Sequence, residues 1–203
     1  MNRIEIKENA KKMIKGNLWY ILKPMVFLFL CLFAVELVAI LLDNLIKVGV
    51  FSAILSIVTS IVSCIFAVGY SYYCLGFIRG NKMEMQDIIE FCKKNWMISL
   101  FVSFMVGLNI IIGSILLIIP GIIASIGLTF YTYVVADNPE LDVTNALRKC
   151  WEMTLGFKMD LFVFYLSFIG WAILAPFTLG ILFIWLIPYM TIAETLAYET
   201  LKK

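Results

Sequence analysis

Residues 48–78, VGVFSAILSIVTSIVSCIFAVGYSYYCLGFI, run for 31 positions without one charged side chain. A helix that crosses a bilayer needs about 20 mostly apolar residues. This stretch is long enough to span with a strong tilt or to extend past the hydrocarbon. Five further apolar runs surround it. Pro24–Leu42 precedes it, with Glu36 as its one ionisable residue. Trp96–Ile119 and Pro120–Ala136 follow, separated only by the Pro120-Gly121 step. Together they are too long for one helix, so Pro-Gly is expected to form a tight turn. Leu161–Ala175 is a short fifth run, and Pro176-Phe177-Thr178-Leu179-Gly180 is a second breaker. A sixth span is placed at about 177–198, with Pro188 as an expected kink. The fold class that follows is all-α: a polytopic membrane bundle of six transmembrane helices, arranged as three hairpins in a single domain over residues 1–203.

Composition narrows the classes in the same direction. The chain is 63% hydrophobic and 15% charged, with a mean hydropathy of +0.98. A soluble domain carries about 45–50% apolar and about 25% charged residues, and one of this size cannot hide so much apolar surface. Disorder, collagen, a coiled coil and a disulfide scaffold fail on the same figures. Sixteen Lys+Arg against fourteen Asp+Glu is too balanced for a nucleic-acid binder. There is no histidine, which removes His-based acid–base chemistry, His metal ligands and His-containing triads. The five cysteines form no CxxC pair, so neither a cofactor nor a metal is expected. The first apolar run is too long for a signal-peptide core and is expected to remain as a span.

Charge sets the expected orientation. Segments 1–23, 79–95, 137–160 and the C-terminal tail hold fifteen of the sixteen Lys/Arg. The connections on the other side hold one, Lys47 in segment 43–47. Basic loops stay in the cytoplasm, so the sequence predicts a cell-membrane protein with both termini cytoplasmic. The basic segments also carry helical periodicity. Asn2 and Glu5 have capping-box spacing, Ile6, Ala10, Met13 and Ile14 share a face, and Gly16 is a natural stop. Met85, Ile88, Ile89 and Cys92 share a second face. Asn138-Pro139 has the form of an N-cap followed by N1, after which Val143, Ala146, Leu147, Cys150, Trp151, Thr154 and Leu155 share a third. One unit therefore occurs three times: a short cytoplasmic amphipathic helix, a span out, a turn and a span back. The returning spans end in aromatics, with Tyr70, Tyr72 and Tyr73, then Phe130, Tyr131 and Tyr133, then Tyr189 and Tyr198. These match an interfacial belt.

Few polar side chains fall inside the spans. Glu36 is the most costly, since a charge near a span's centre costs roughly 2.5–3.5 kcal/mol on insertion scales. Either it is a tolerated carboxyl or it is a proton or cation site. Asn109 either bonds across helices or lines a pathway. Glu194 lies nearer the inner interface and is a weaker candidate. Ser52, Ser56, Ser60 and Cys64 form a stripe of small residues expected to pack against a neighbouring helix. Lys7, Lys11, Lys12 and Lys15 make the first amphipathic helix the natural one to meet an anionic leaflet.

A set of motifs adds a family resemblance: Ile119-Pro120-Gly121, Ala136-Asp137-Asn138-Pro139, Gly156 with Lys158, Leu166-Ser167-Phe168-Ile169-Gly170-Trp171, Thr178-Leu179-Gly180 and Pro188-Tyr189. The opening Lys11-Lys12-Met13-Ile14-Lys15-Gly16-Asn17 and the Arg79-Gly80 linker fit as well. The chain resembles the bacterial integral-membrane family catalogued as domain of unknown function 975. The resemblance implies a multi-pass membrane protein and brings no substrate, cofactor or catalytic residue. Its Asp-Asn-Pro segment is read as a helix cap, and Gly170 as a point of close helix approach. The function expected is non-enzymatic, through the lipid bilayer or another membrane protein, in an envelope, immunity or assembly role. The alternative is a small-solute or ion permease using Glu36. An enzyme is disfavoured because no nucleophile is grouped with a base. The sequence sets no oligomeric state.

Overall fold

The computed structural model describes residues 2–46, 50–116, 118–174, 176–178 and 180–202, and among these the chain is helical with no strand. The helices are α1 (Arg3–Ile14), α2 (Leu18–Ile46), α3 (Val50–Ile78), α4 (Met85–Lys94), α5 (Trp96–Leu116), α6 (Ile118–Gly127), α7 (Tyr131–Asp137), α8 (Val143–Thr154), α9 (Lys158–Leu174) and α10 (Ile181–Leu201). Six segments are long and apolar enough to cross a membrane: Leu18–Leu42, Phe51–Ile78, Trp96–Ile115, Ile119–Asp137, Lys158–Thr178 and Ile181–Leu201. This is a multi-pass membrane architecture. Lys47, the basic residue of the expected outer connection 43–47, lies outside the described residues.

The first span begins before Pro24, which sits inside α2. Proline has no N–H, so the carbonyl four residues back loses its helical donor. That carbonyl belongs to Tyr20, and the Tyr73 hydroxyl of α3 donates to it at 3.0 Å. One turn away on α3, the Tyr70 hydroxyl donates to the Ile21 carbonyl at 3.0 Å. The proline is thus accommodated by the partner helix, and the two bonds fix α2 against α3.

Pro120-Gly121, expected to form a turn, lies within a helix. Helix α6 already begins at Ile118, so Pro120 stands in its first turn, where its missing N–H has no helical acceptor to lose. Gly121 serves packing instead. A Cβ there would stand 3.0 Å from both the Cα and N of Ser114, and one on Gly113 would stand 3.1 Å from the Gly121 Cα. The backbones of α5 and α6 therefore touch at two glycines.

The fourth expected run is broken between α6 and α7. The Tyr131 N–H bonds the Leu128 carbonyl rather than that of Gly127. The freed Gly127 carbonyl accepts from the Thr154 hydroxyl at 3.0 Å and the Cys150 thiol at 3.5 Å, both on α8. Burial pushes the Cys150 thiol up to about 12, so it remains a neutral donor. The break is where α8 docks.

Helix α8 itself starts later than Asn138-Pro139 suggests. Asn138 closes α7, with its amide donating back to the Val134 carbonyl at 3.2 Å and its oxygen accepting from Lys149. Neither side-chain group caps a backbone N–H of α8, and Asp142 is the N-cap of that helix. The face that α8 buries is the Ala146–Cys150–Thr154 line, while Trp151 and Leu155 at its margin stay exposed. The expected cap on α1 is present: the Asn2 side chain accepts from the Glu5 N–H, and Gly16 ends the segment with a positive φ of 92°.

Buried residues gather where α1, α4 and α8 pack, around Ile6, Ala10 and Ile14 of α1, Ile88 of α4 and Ile192 and Ala193 of α10. Tyr70, Tyr73, Tyr133, Tyr189 and Tyr198 are buried there too. These tyrosines are a core and not the interfacial belt their positions suggest. Helices α3, α7 and α10 converge at this end, and their rings meet one another, with Tyr133 stacked on Tyr198 at 5.6 Å. Away from it, α2, α3 and α9 expose long apolar surfaces such as Phe29, Phe33, Ile57 and Ile169, the exterior that lipid-facing helices carry.

Candidate functional site

Glu36 lies on α2, and the Thr59 hydroxyl of α3 donates to its Oε1 at 2.9 Å. The two stand in a groove of about 510 Å³ lined by Phe29, Leu32, Phe33, Glu36, Thr59, Ser60 and Ser63. All seven residues belong to α2 and α3, so the groove is a cleft in one pair of helices and not a chamber of the whole bundle. Thr59, 23 positions away, is the partner that charge-pattern reasoning overlooked, because a hydroxyl is not a charge.

Asn109 is exposed on α5, and its amide donates to the Met105 carbonyl of its own helix at 2.8 Å. It does not line the Glu36 groove, and among the described residues it makes no bond across helices. Of the small-residue stripe, Ser56 and Ser60 are exposed, and their hydroxyls donate to carbonyls one turn back. That stripe is not a packed face at these two positions. Gly170 likewise has no atom of the described residues within 4 Å of where a Cβ would stand, so the close approach expected there is not made among them.

Glu194 has more company than its sequence position suggests. The Tyr165 and Tyr133 hydroxyls lie beside its carboxyl. Tyr165 shares a hydrogen bond with Thr129 at 2.7 Å, and the Thr195 hydroxyl donates to that of Tyr133 at 3.4 Å. This is a patch of hydroxyls from α7, α9, α10 and the α6–α7 break around one acid.

The strongest electrostatic site joins the ends of three helices. Arg79, just past α3, reaches Asp137 Oδ1 at 2.7 Å and Glu199 Oε1 at 2.6 Å. Asp137 Oδ2 accepts from the Tyr198 hydroxyl at 3.1 Å and from the Lys202 ammonium. The Asp137 side chain is only 8% exposed. Its carboxylate hydrogen bond is the main reason the Arg79 guanidinium is held above its ordinary value. Arg79 and Asp137 also line an open cavity of about 510 Å³, together with Asp87, Glu90 and Lys94 of α4. Asp137 thus closes a charge network, a role that its place in an Asp-Asn-Pro cap concealed. Among the described residues, no group of acidic, cysteine or histidine side chains is arranged to hold a metal ion.

Asp137, Gly121, Glu194 and the aromatic core of α7 and α10 all fall within one recognised segment. Residues 104–203 match the family described as protein of unknown function, DUF975. The C-terminal half of the chain belongs to the DUF975 family. This DUF975 segment takes in most of α5 and everything after it, whereas Glu36 and its groove lie outside it. No curated protein and no solved structure matches the chain.

Proposed function

We propose that the protein is a non-enzymatic, multi-pass protein of the cell membrane that works through contacts with bilayer lipids or another membrane protein. Envelope maintenance, immunity and assembly of a membrane complex are the roles that fit. In this reading the spans form three hairpins, with α1, α4 and α8 as amphipathic helices on the cytoplasmic face beside both termini. The observation that carries it is the setting of Glu36. A transported solute needs a site reached from both sides near the midplane, formed where repeats or bundles meet. The Glu36 groove draws on two helices only, and Asn109 satisfies itself within its own helix. The second reading, a permease using Glu36, draws on the oxygens of Thr59, Ser60 and Ser63 that share the groove.

The two readings part on Glu36→Gln. Gln keeps the shape and an acceptor for Thr59 but cannot titrate or carry charge. In the contact reading, the variant folds with a melting temperature equal to or above the parent's, because a costly ionisable group has become neutral. Proteoliposomes of either protein are then no more permeable to protons or K+ than empty vesicles. Flux through the parent that Glu36→Gln abolishes, with folding intact, would establish the permease in its place.

A further inference from the structure

Helix α1 lays two ammonium groups on aromatic rings of the α9–α10 pair. Lys7 Nζ sits 4.7 Å from the centre of the Phe168 ring and 5.6 Å from that of Phe164, and it donates to the Ser167 hydroxyl. Lys11 Nζ, one turn along α1, sits 5.7 Å from the centre of the Tyr189 ring. Among the described residues neither ammonium forms an ion pair, although Arg3 on the same helix pairs with Asp160. Burial, Arg3 and Lys11 together hold the Lys7 pKa below its ordinary value. Ring faces attract a cation but supply no counter-charge, and two neighbouring cations without one are suited to an anion. Phe164, Ser167, Phe168 and Tyr189 belong to helices long and apolar enough to cross a membrane. The ammonium groups are therefore held against spanning helices at the height of those residues. Along the same side of the pair, Tyr189 stacks on Trp185 at 4.9 Å, and Trp185 meets Trp171 edge-on at 6.5 Å. Trp171 is 47% exposed. A charged seat thus continues into an apolar, aromatic track along the spans.

We propose that Lys7 and Lys11 form the headgroup seat of a binding site for an anionic phospholipid, whose acyl chains run over Trp185 and Trp171. The site rests on the lipid side of the proposed function and makes it specific. The lipid phosphate accepts from both ammonium groups. The aromatic track separates a phospholipid from a free phosphate, which has no use for it.

The test uses the full chain carrying Trp19→Phe, Trp96→Phe and Trp151→Phe, so that Trp171 and Trp185 alone report. The protein is reconstituted in phosphatidylcholine vesicles containing a minor fraction of brominated phosphatidylglycerol or, separately, of brominated phosphatidylcholine. Bromine on the acyl chains quenches tryptophan at contact. The anionic lipid should be preferred roughly thirtyfold, the size of effect that two ammonium groups near a lipid surface supply. Lys7→Gln with Lys11→Gln should remove most of that preference, and Lys7→Arg with Lys11→Arg should keep it. Lys12→Gln with Lys15→Gln, on exposed lysines of the same helix, should also keep it. The arginine and Lys12/Lys15 pairs decide the matter even if the first pair folds poorly. An equal loss from the Lys12/Lys15 pair would overturn the discrete site while leaving a general attraction to anionic lipid. Equal quenching by both lipids in the parent would overturn the site and the lipid reading together, leaving the protein-partner reading.

Discussion

Asp137→Ala is expected to lower stability by about 2–3 kcal/mol, near the upper end for hydrogen bonds to charged groups. The carboxylate is buried and holds Arg79, Lys202 and Tyr198 at once. Its removal takes the carboxylate from Lys202 and Tyr198 and leaves Arg79 with Glu199. Arg79 and Lys202 are each 37% exposed at the side chain, so water relieves part of the loss. The effect is therefore smaller than the about 3–5 kcal/mol of breaking a fully buried pair. For a chain of this length it corresponds to a fall of roughly 4–12 °C in melting temperature, read in detergent by intrinsic fluorescence. Lys202→Ala alone should cost less, because Asp137 keeps Arg79. The double variant should cost less than the two losses added, as expected of residues in one network. Strict additivity would show that Lys202 and Asp137 do not act together.

Gly121→Val should be of similar size, at about 2–3 kcal/mol, toward the upper end for overpacking. The Cβ would meet backbone atoms of Ser114 at 3.0 Å, and backbone cannot turn aside as a side chain does. Helices α5 and α6 must then separate along their length. Gly107 and Gly170 are the controls, since neither has an atom within 4 Å of its Cβ position. Alanine at either should stabilise by roughly 0.5–1 kcal/mol through the lost freedom of glycine. If Gly121→Val melts with the parent, the close contact of α5 and α6 is not formed.

The spans were legible because they depend on long apolar runs, which need no partner to be recognised. Their ends were less so. Pro24 marks a boundary only if nothing supplies the donor it lacks, and Tyr73, far along the chain, supplies it. Tyr70, Tyr73, Tyr133 and Tyr198 could not be told from an interfacial belt, because an amphipathic ring at a helix end suits either place. Only the convergence of α3, α7 and α10 makes them a core. Asp137 was misread for a related reason: the Asn-Pro after it has the form of a cap, while its true partner Arg79 is 58 positions away. Gly170 shows the converse, where a small residue suggested an approach that is not made among the described residues. Glu36 was identified by its charge alone, but its setting depended on Thr59, which no charge pattern reveals.

The central claim is that six spans carry the basic, closely packed end of the molecule in the cytoplasm. Single cysteines at exposed positions in a cysteine-free background test it. Asn44→Cys lies at the far end of α2 and Phe177→Cys between α9 and α10, while Lys82→Cys and Thr200→Cys lie at the basic end. In intact cells a membrane-impermeant maleimide should label Asn44→Cys and Phe177→Cys. It should reach Lys82→Cys and Thr200→Cys only after the cells are lysed. Labelling of Thr200→Cys in intact cells would contradict the account.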